Sequence, residues 1–482
     1  MLPMKSEKKH LHIVSVLTEF IATLRNVILP AGLGFIAGLR HFSDYLGYIL
    51  LIPLVLAVFD FLKWLRLTYE ITDEHFHLQS GVLVRNDRYI RINRIQSVQI
   101  RTNILLRLFG LVQLKLDTAD PASRGDITLS VLTKKEAGRI QRAIGHGKEQ
   151  LAAEDSLEAV PAEQPAAPVK RFVLSGKDLW MAALTSSNIG IIGVLLALFS
   201  QVDDVIPDSV WGSSVDYFSH LPITLLVFLV AALVLLLWLI SLFVTMLRWG
   251  GFRLTVTGGQ WFIHKGILQT KDETYKTDRV QAIRIRQQLL QQLFGYCTVY
   301  AELSGSVDGE NRDEGSVLVY PFVCIKQLPD FLEEIIPRFA GQMDVRRIPL
   351  RGILYGTARP LLFLTVAAGV LTWFFSWGKW LWLILPPIAG WIYSCYYSRG
   401  CRLRNNRFVL TGRFLSKSTV ITLTRHLQTF SRKRSPLQRQ IGLGNFRVMI
   451  RSSAPRAYRV NQMASEDTES LMNRLRNHSV KD

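Results

Sequence analysis

Apolar and polar residues follow distinct rhythms along this chain. Some stretches carry no charge at all: residues 179–202, 221–247, 360–378 and 380–398 contain no Asp, Glu, Lys or Arg. Each approaches or exceeds the roughly 20 residues with which an α-helix crosses a bilayer. A shorter pair, residues 26–39 and 45–59, is flanked by Arg25, Arg40, Asp44 and Asp60. Lys63 and Arg66 would extend its second member by snorkelling to the interface. Residues 10–25, which include Glu19 and Arg25, fit either the start of a tilted span or a helix lying on the surface. The pattern predicts six spans in three hairpins, and no signal peptide to be removed.

Between the apolar pairs the rhythm changes to strict alternation. "LTYEITDEHFHLQSGVLVRNDRYIRINRIQSVQI" alternates around Gly81 and an Asn86–Asp87 turn, as successive half-buried antiparallel strands do. "VQLKLDTA" and "DITLSVL" continue it, and "TVYAEL" and "SVLVYPFV" repeat it downstream. Each such stretch closes on a helical segment: "TKKEAGRIQRAI", with Thr133 and Glu136 spaced as a capping box, then "LPDFLEEIIPRF" and "SEDTESLMNRLR". Strands followed by one helix predict a small antiparallel barrel or sandwich with a helix over one opening.

These stretches are copies of one unit. Arg94 and Gln96 precede Gly110, Arg279 and Gln281 precede Gly295, and His426 and Gln428 precede Gly442; each Gly stands fourteen residues after its Gln. Arg107, Gln292 and Arg439 each stand eleven after it. Upstream, Gly81 and Gly266 lie fifteen before their Gln and Gly412 sixteen before. The organisation predicted is a span hairpin over 10–66, a module over 67–146, a linker over 147–170, a hairpin over 171–248, a module over 249–340, a hairpin over 350–398 and a module over 399–482. The linker is rich in Ala, Glu and Pro, a composition that stays solvated.

The motifs "YEIT", "SGVL", "RIQSV" and "LFGL", echoed by "FRLT", "KGIL", "RVQAI" and "LFGY", resemble those of bacterial pleckstrin-homology-like membrane proteins of the YdbS and YdbT group. Three hairpins with three modules are similar to the YdbT type. The third copy departs, with "CRLR", "TGRF", "HLQTF" and "QIGL". The resemblance implies a polytopic α-helical membrane protein with three soluble α+β pleckstrin-homology-like modules. It also implies an association with envelope stress or resistance to membrane-active peptides, and no reaction.

Charge sets the expected orientation. The loop over 201–220 holds four Asp and no Lys or Arg, so by the positive-inside rule it faces outward, with the modules and both termini cytoplasmic in a bacterial plasma membrane. The chain's formal charge is +19, and residues 399–482 supply +14 of it, from 18 Lys and Arg against 4 Asp and Glu. Arg402, Arg404, Arg407, Arg432, Lys433, Arg434 and Arg439 are the candidates for contact with anionic lipid or a partner, each worth about 1 kcal/mol near such a surface. Ordinary inside-positive topology charge is the competing account.

For Arg94, Gln96, Arg279, Gln281, His426 and Gln428, two readings stand: a contact surface, or side chains that tie strand crossings to nearby backbone. Gly110, Gly295 and Gly442 read as turn glycines at positive φ. The four cysteines, Cys297, Cys324, Cys395 and Cys401, lack zinc or redox spacing, so neither disulfide nor metal is expected. No phosphate loop, HExxH, GxSxG or CxxC occurs, and His75, His77, His264 and His426 read as solvated residues, so no enzyme, cofactor or small-molecule substrate is predicted. No nucleic-acid signature accompanies the basic residues.

The function predicted is a non-enzymatic scaffold whose modules self-associate, clustering within one chain, or contact partners and lipid. The alternative is a component of a transporter or exporter; the four charge-free spans argue against an ion path, and Thr185, Ser186, Ser187 and Asn188 serve helix packing equally well.

Overall fold

The alternating stretches become strands, and the strands form four sheets. The computed structural model describes residues 9–18, 20, 21, 55–72, 74–82, 84–92, 95–118, 127–143, 169–185, 222–304, 316–450 and 456–479. The expected spans over 26–39, most of 45–59 and the later part of 179–202 lie outside these residues, as do Glu19, Arg25, Arg94, the 201–220 loop and nearly all of the 147–170 linker. The chain divides into two compact units, residues 1–275 and 276–482. The division falls inside the second repeat.

In the first unit, β1 (Lys9–His10), β2 (Thr68–Ile71), β3 (His75–Ser80) and β4 (Asn86–Arg91) form one antiparallel sheet in that order. β5 (Ile95–Thr102), β6 (Leu111–Thr118) and β7 (Ile127–Thr133) belong to a second sheet. A core of Leu11, Tyr69, Phe76, Ile95, Val98, Leu114, Leu116, Leu129 and Leu132 lies between them. The short helix α1 (Ile104–Leu108) joins β5 to β6, and α2 (Lys134–Ala143) closes the module by adding Ala137 and Ile140 to that core. Its start uses the Thr133–Glu136 pair read from sequence, with one of the two capping-box bonds: the Glu136 amide donates to Thr133 Oγ1 at 3.3 Å, and that hydroxyl, rather than the Thr133 amide, donates to Glu136 Oε2 at 3.2 Å.

The second sheet does not end with its own repeat. Its order is β7-β6-β5-β11-β10-β9-β8, where β8 (Lys170–Val173), β9 (Arg253–Thr257), β10 (Gln260–Lys265) and β11 (Thr270–Lys276) come from the region of the second repeat. The second unit repeats the plan. β12 (Val280–Gln287), β13 (Tyr296–Leu303) and β14 (Ser316–Cys324) continue into β15 (Arg346–Arg347), β16 (Gly400–Arg404), β17 (Arg407–Arg413) and β18 (Lys417–Leu423), in the order β14-β13-β12-β18-β17-β16-β15. A last sheet holds β19 (Leu427–Lys433), β20 (Leu443–Ile450) and β21 (Ala457–Ala464).

The longest apolar helices overlap the charge-free runs. After α3 (Gly176–Thr185) come α4 (Ile223–Trp249), α5 (Leu289–Phe294), α6 (Leu328–Ile335), α7 (Leu350–Phe374), α8 (Leu381–Tyr397), α9 (Pro436–Gln440) and α10 (Ser465–Ser479). Among the described residues, Ala231–Trp249 and Leu350–Phe374 are long and apolar enough to cross a bilayer. Their outward side chains are apolar: Leu235, Phe243, Phe363 and Trp373 are all more than half exposed. In water such a surface would be an aggregation hazard; hydrocarbon removes the cost.

The ends of α4 and α8 are each fastened to a hairpin tip. The Gly266 and Ile267 amides donate to the Gly250 and Leu247 carbonyls at 2.9 and 3.0 Å, which holds the β10–β11 turn against the end of α4. In the second unit the Cys395 thiol donates to the Phe414 carbonyl at 3.2 Å and Arg413 to Ser394 Oγ at 2.7 Å, so the β17–β18 turn rests on the end of α8.

Gly81 in the β3–β4 turn and Gly266 in the β10–β11 turn stand at φ +112° and +100°, and a Cβ on Gly266 would meet the Gln269 carbonyl oxygen at 2.0 Å. Gly412, with no such φ and open space around it, lies within β17. Gly266→Ala is therefore expected to lower stability by about 1–3 kcal/mol, while Gly412→Ala is tolerated; chemical denaturation of the purified protein in detergent measures both.

Candidate functional site: the strand junction between repeats

Repeats are joined by antiparallel pairing of β5 with β11 and of β12 with β18. The register is the same in both. Ser97, one residue after Gln96, faces Tyr275, six before Gln281. Ala282, one residue after Gln281, faces Thr422, six before Gln428. Along the junctions Ser97, Val98, Gln99, Glu273, Thr274 and Tyr275 are buried, and so are Ala282, Ile283, Arg284, Val420, Ile421 and Thr422.

The repeated Gln marks an irregularity in the ladder. Pairing with the following strand shifts between Ile95 and Ser97, between Val280 and Ala282, and between Leu427 and Thr429, so every copy bulges at Gln96, Gln281 or Gln428. In the second copy the Gln281 amide donates to the Arg279 carbonyl at 3.3 Å. The Gln281 carbonyl accepts Thr422 Oγ1 at 2.9 Å and lies 2.8 Å from His426 Nδ1. The bulge thus presents backbone to the next repeat.

The positions eleven residues after the Gln bridge the same junctions. Arg107 donates to the Ile267 carbonyl at 2.9 Å, and Gln292 to the Leu415 carbonyl at 3.3 Å. These bonds bring α1 and α5 to the hairpin tips that rest on the span ends. Leu108 and Leu293, each 80% exposed, and Phe109 and Phe294 are left uncovered there. Gly110, Gly295 and Gly442 end the three short helices at φ 66°, 72° and 71°, the left-handed region read from sequence.

The basic candidates do not form one cluster. β16 leads away from α8, and an Asn405–Asn406 turn with both residues at positive φ returns the chain as β17. Five strand residues separate Arg404 and Arg407 from the helix end, about 15 Å along the strand. Arg402 lies 3.7 Å from Asp344, and Arg404 bonds Gln342. Arg432 and Arg434 instead share Glu469 at 3.4 and 3.7 Å, in a separate patch with Lys433. Arg439 is exposed on α9, and the Gly442 turn that ends α9 lies beside Arg351 in the first turn of α7.

Two of the four histidines depart from the solvated reading, His77 and His426. His77 is buried, with Nε2 3.4 Å from Asp87 and Nδ1 3.8 Å from Glu70, and its ring stacks on Tyr89. His264 contacts Asp272. His426 is buried, and desolvation holds its pKa below the usual value. No group of three His, Cys, Asp or Glu able to hold a metal occurs among the described residues. Cys297, Cys395 and Cys401 are buried free thiols; burial pushes Cys297 and Cys401 up to about 12.

Sequence reading missed a polar cluster beneath the second junction. Tyr458 donates to buried Glu302, Arg284 donates to Ser316 Oγ, and the Arg284 guanidinium lies over the Tyr300 ring at 5.2 Å. The only signal was that Asp117 and Glu302 both stand twenty-one residues after their Gln.

A sheet-rich module used three times, fastened to apolar spans and joined through strands in a fixed register, defines a membrane protein built from repeated pleckstrin-homology-like units. Residues 23–148, 214–338 and 350–478 match the Bacterial PH domain family, and the chain belongs to it. It is 29% identical over 464 residues to UPF0699 transmembrane protein YdbT of Bacillus subtilis (strain 168), covering 94% of each chain.

Two predictions follow from the junction geometry. In Arg101→Cys/Lys271→Cys the new cysteines are register partners, within disulfide span across an antiparallel pair. Oxidation is expected to link them within the chain, whereas Ile100→Cys/Lys271→Cys stays unlinked; mass spectrometry of digests reads both. Burial raises the Glu302 pKa. Between the ordinary and raised values the native state keeps a proton that the unfolded chain has released, so stability falls as pH rises through that window. Glu302→Gln is expected to flatten this decline in unfolding midpoints measured from about pH 4 to 8.

Proposed function

We propose that this protein is a non-enzymatic, multi-pass membrane scaffold that holds three strand-linked modules against the cytoplasmic face of the bacterial plasma membrane. The observation that carries the reading is the pair of hairpin tips bonded to the ends of α4 and α8, each beside exposed apolar residues of a neighbouring short helix. Leu108, Phe109, Leu293 and Phe294 sit where an interface accepts apolar side chains, and the basic residues of the third module supply attraction to anionic lipid. The acidic 201–220 loop supports the orientation, with three hairpins and both termini inside. The setting we attach to this scaffold is envelope stress or resistance to membrane-active peptides, as the family resemblance implies.

An environment-sensitive fluorophore on Leu293→Cys tests the placement. Its emission in anionic vesicles is expected to be blue-shifted, while the same probe on Asn405→Cys reads water. Equal emission from the two sites, or a reporter within residues 205–215 that proves cytoplasmic, overturns the reading.

A further inference from the structure

Two strands keep the edges that the internal junctions consume. β4 occupies in the first repeat the place of β11 and β18, and β19 occupies in the third the place of β5 and β12. Both are sheet edges among the described residues. Thr274 and Ile421 are 2% and 1% exposed in their junctions, whereas their counterpart Tyr89 is 68% exposed. Ala282 and Ile283 are fully buried, whereas their counterparts Thr429 and Phe430 are exposed and half-buried. An uncovered strand edge is a template for another chain.

We infer that β19 of one chain pairs antiparallel with β4 of a second copy, extending the internal junction from chain to chain. The occupant follows from the repeat: the surface that fits β19 is the fourth strand of this module, and β4 is the copy of it left unpaired by the internal junctions. The shared register makes the pairing specific. Residues one after the Gln face residues six before the next Gln, which sets Thr429 opposite Ile90, Phe430 opposite Tyr89, Ser431 opposite Arg88 and Arg432 opposite Asp87. The ladder therefore places an aromatic pair and an opposite-charge pair at alternate rungs on one face, each a stabilising cross-strand combination. The remaining positive charge on the two edges is no bar, because Arg101 faces Lys271 within the first junction. Arg439 completes the likeness: it holds the position from which Arg107 and Gln292 reach the next hairpin turn, and it is exposed. Such a contact is heterologous, so it propagates into a ring or a row of chains rather than stopping at a symmetric pair.

The inference deepens the scaffold reading by naming a partner, and it is tested without reference to membrane contact. Full-length chains carrying Tyr89→Cys and Phe430→Cys, with different tags, are co-expressed and oxidised in native membranes. A mixed-tag disulfide dimer is expected from this pair, and none above the wild-type background from Tyr89→Cys with Thr429→Cys, whose side chain points to the other face. Asp87→Arg is expected to cut the yield roughly five-fold, and Arg432→Asp on the partner chain to restore it. No mixed-tag product, equal linking at 429 and 430, or linking only within single chains of the Tyr89→Cys/Phe430→Cys double variant overturns the inference. The fluorophore experiment still reports on the scaffold reading in each case.

Discussion

Everything distinctive about this protein depends on one hydrogen-bonded ladder, the antiparallel pairing that carries a sheet from one repeat into the next. β5 with β11, and β12 with β18, use the same rungs. A loose tether would leave each module to bury its own faces. Here the final three strands of one module complete a seven-stranded sheet only when the opening strands of the next arrive. The modules are therefore not independent beads, and the boundary between compact units falls after Tyr275, at the end of the junction strand rather than between repeats.

The bulge at the repeated Gln explains how one strand serves two neighbours. At Gln96, Gln281 and Gln428 the ladder slips by one residue, which bends the strand and increases its local twist. Beyond the slip, β5 and β12 pair on both sides. The carbonyl turned out at Gln281 takes the Thr422 hydroxyl and contacts His426. Of the two readings of this motif, the contacts at Gln281 fit the one in which it ties a strand crossing to nearby backbone.

Periodicity exposed much of this architecture. Charge-free runs marked α4, α7 and α8; alternation marked the strands; fixed offsets marked the copies, the positive-φ glycines and the Thr133–Glu136 pair. What it left hidden is relational. Nothing in the alternation of "TKDETYK" says that β11 lies beside β5 of the preceding repeat, because both partners satisfy the same two-residue period. Glu302 and Tyr458 are 156 residues apart and meet only after the sheets form. The basic residues divide for a related reason: residues of one module such as Arg404 and Arg432 take different partners, Gln342 and Glu469, once the strands fold.

The bonds from Gly266 and Ile267 to the last turns of α4 have a mechanical corollary. They weld the hairpin, and through β11 the whole seven-stranded sheet of the first unit, to a single helix. A bilayer that thins changes the tilt at which an apolar helix of fixed length lies. The helix would then act as a tiller, and the strain would fall on the ladder between β11 and β5, where a change in lipid thickness becomes torque on a protein sheet.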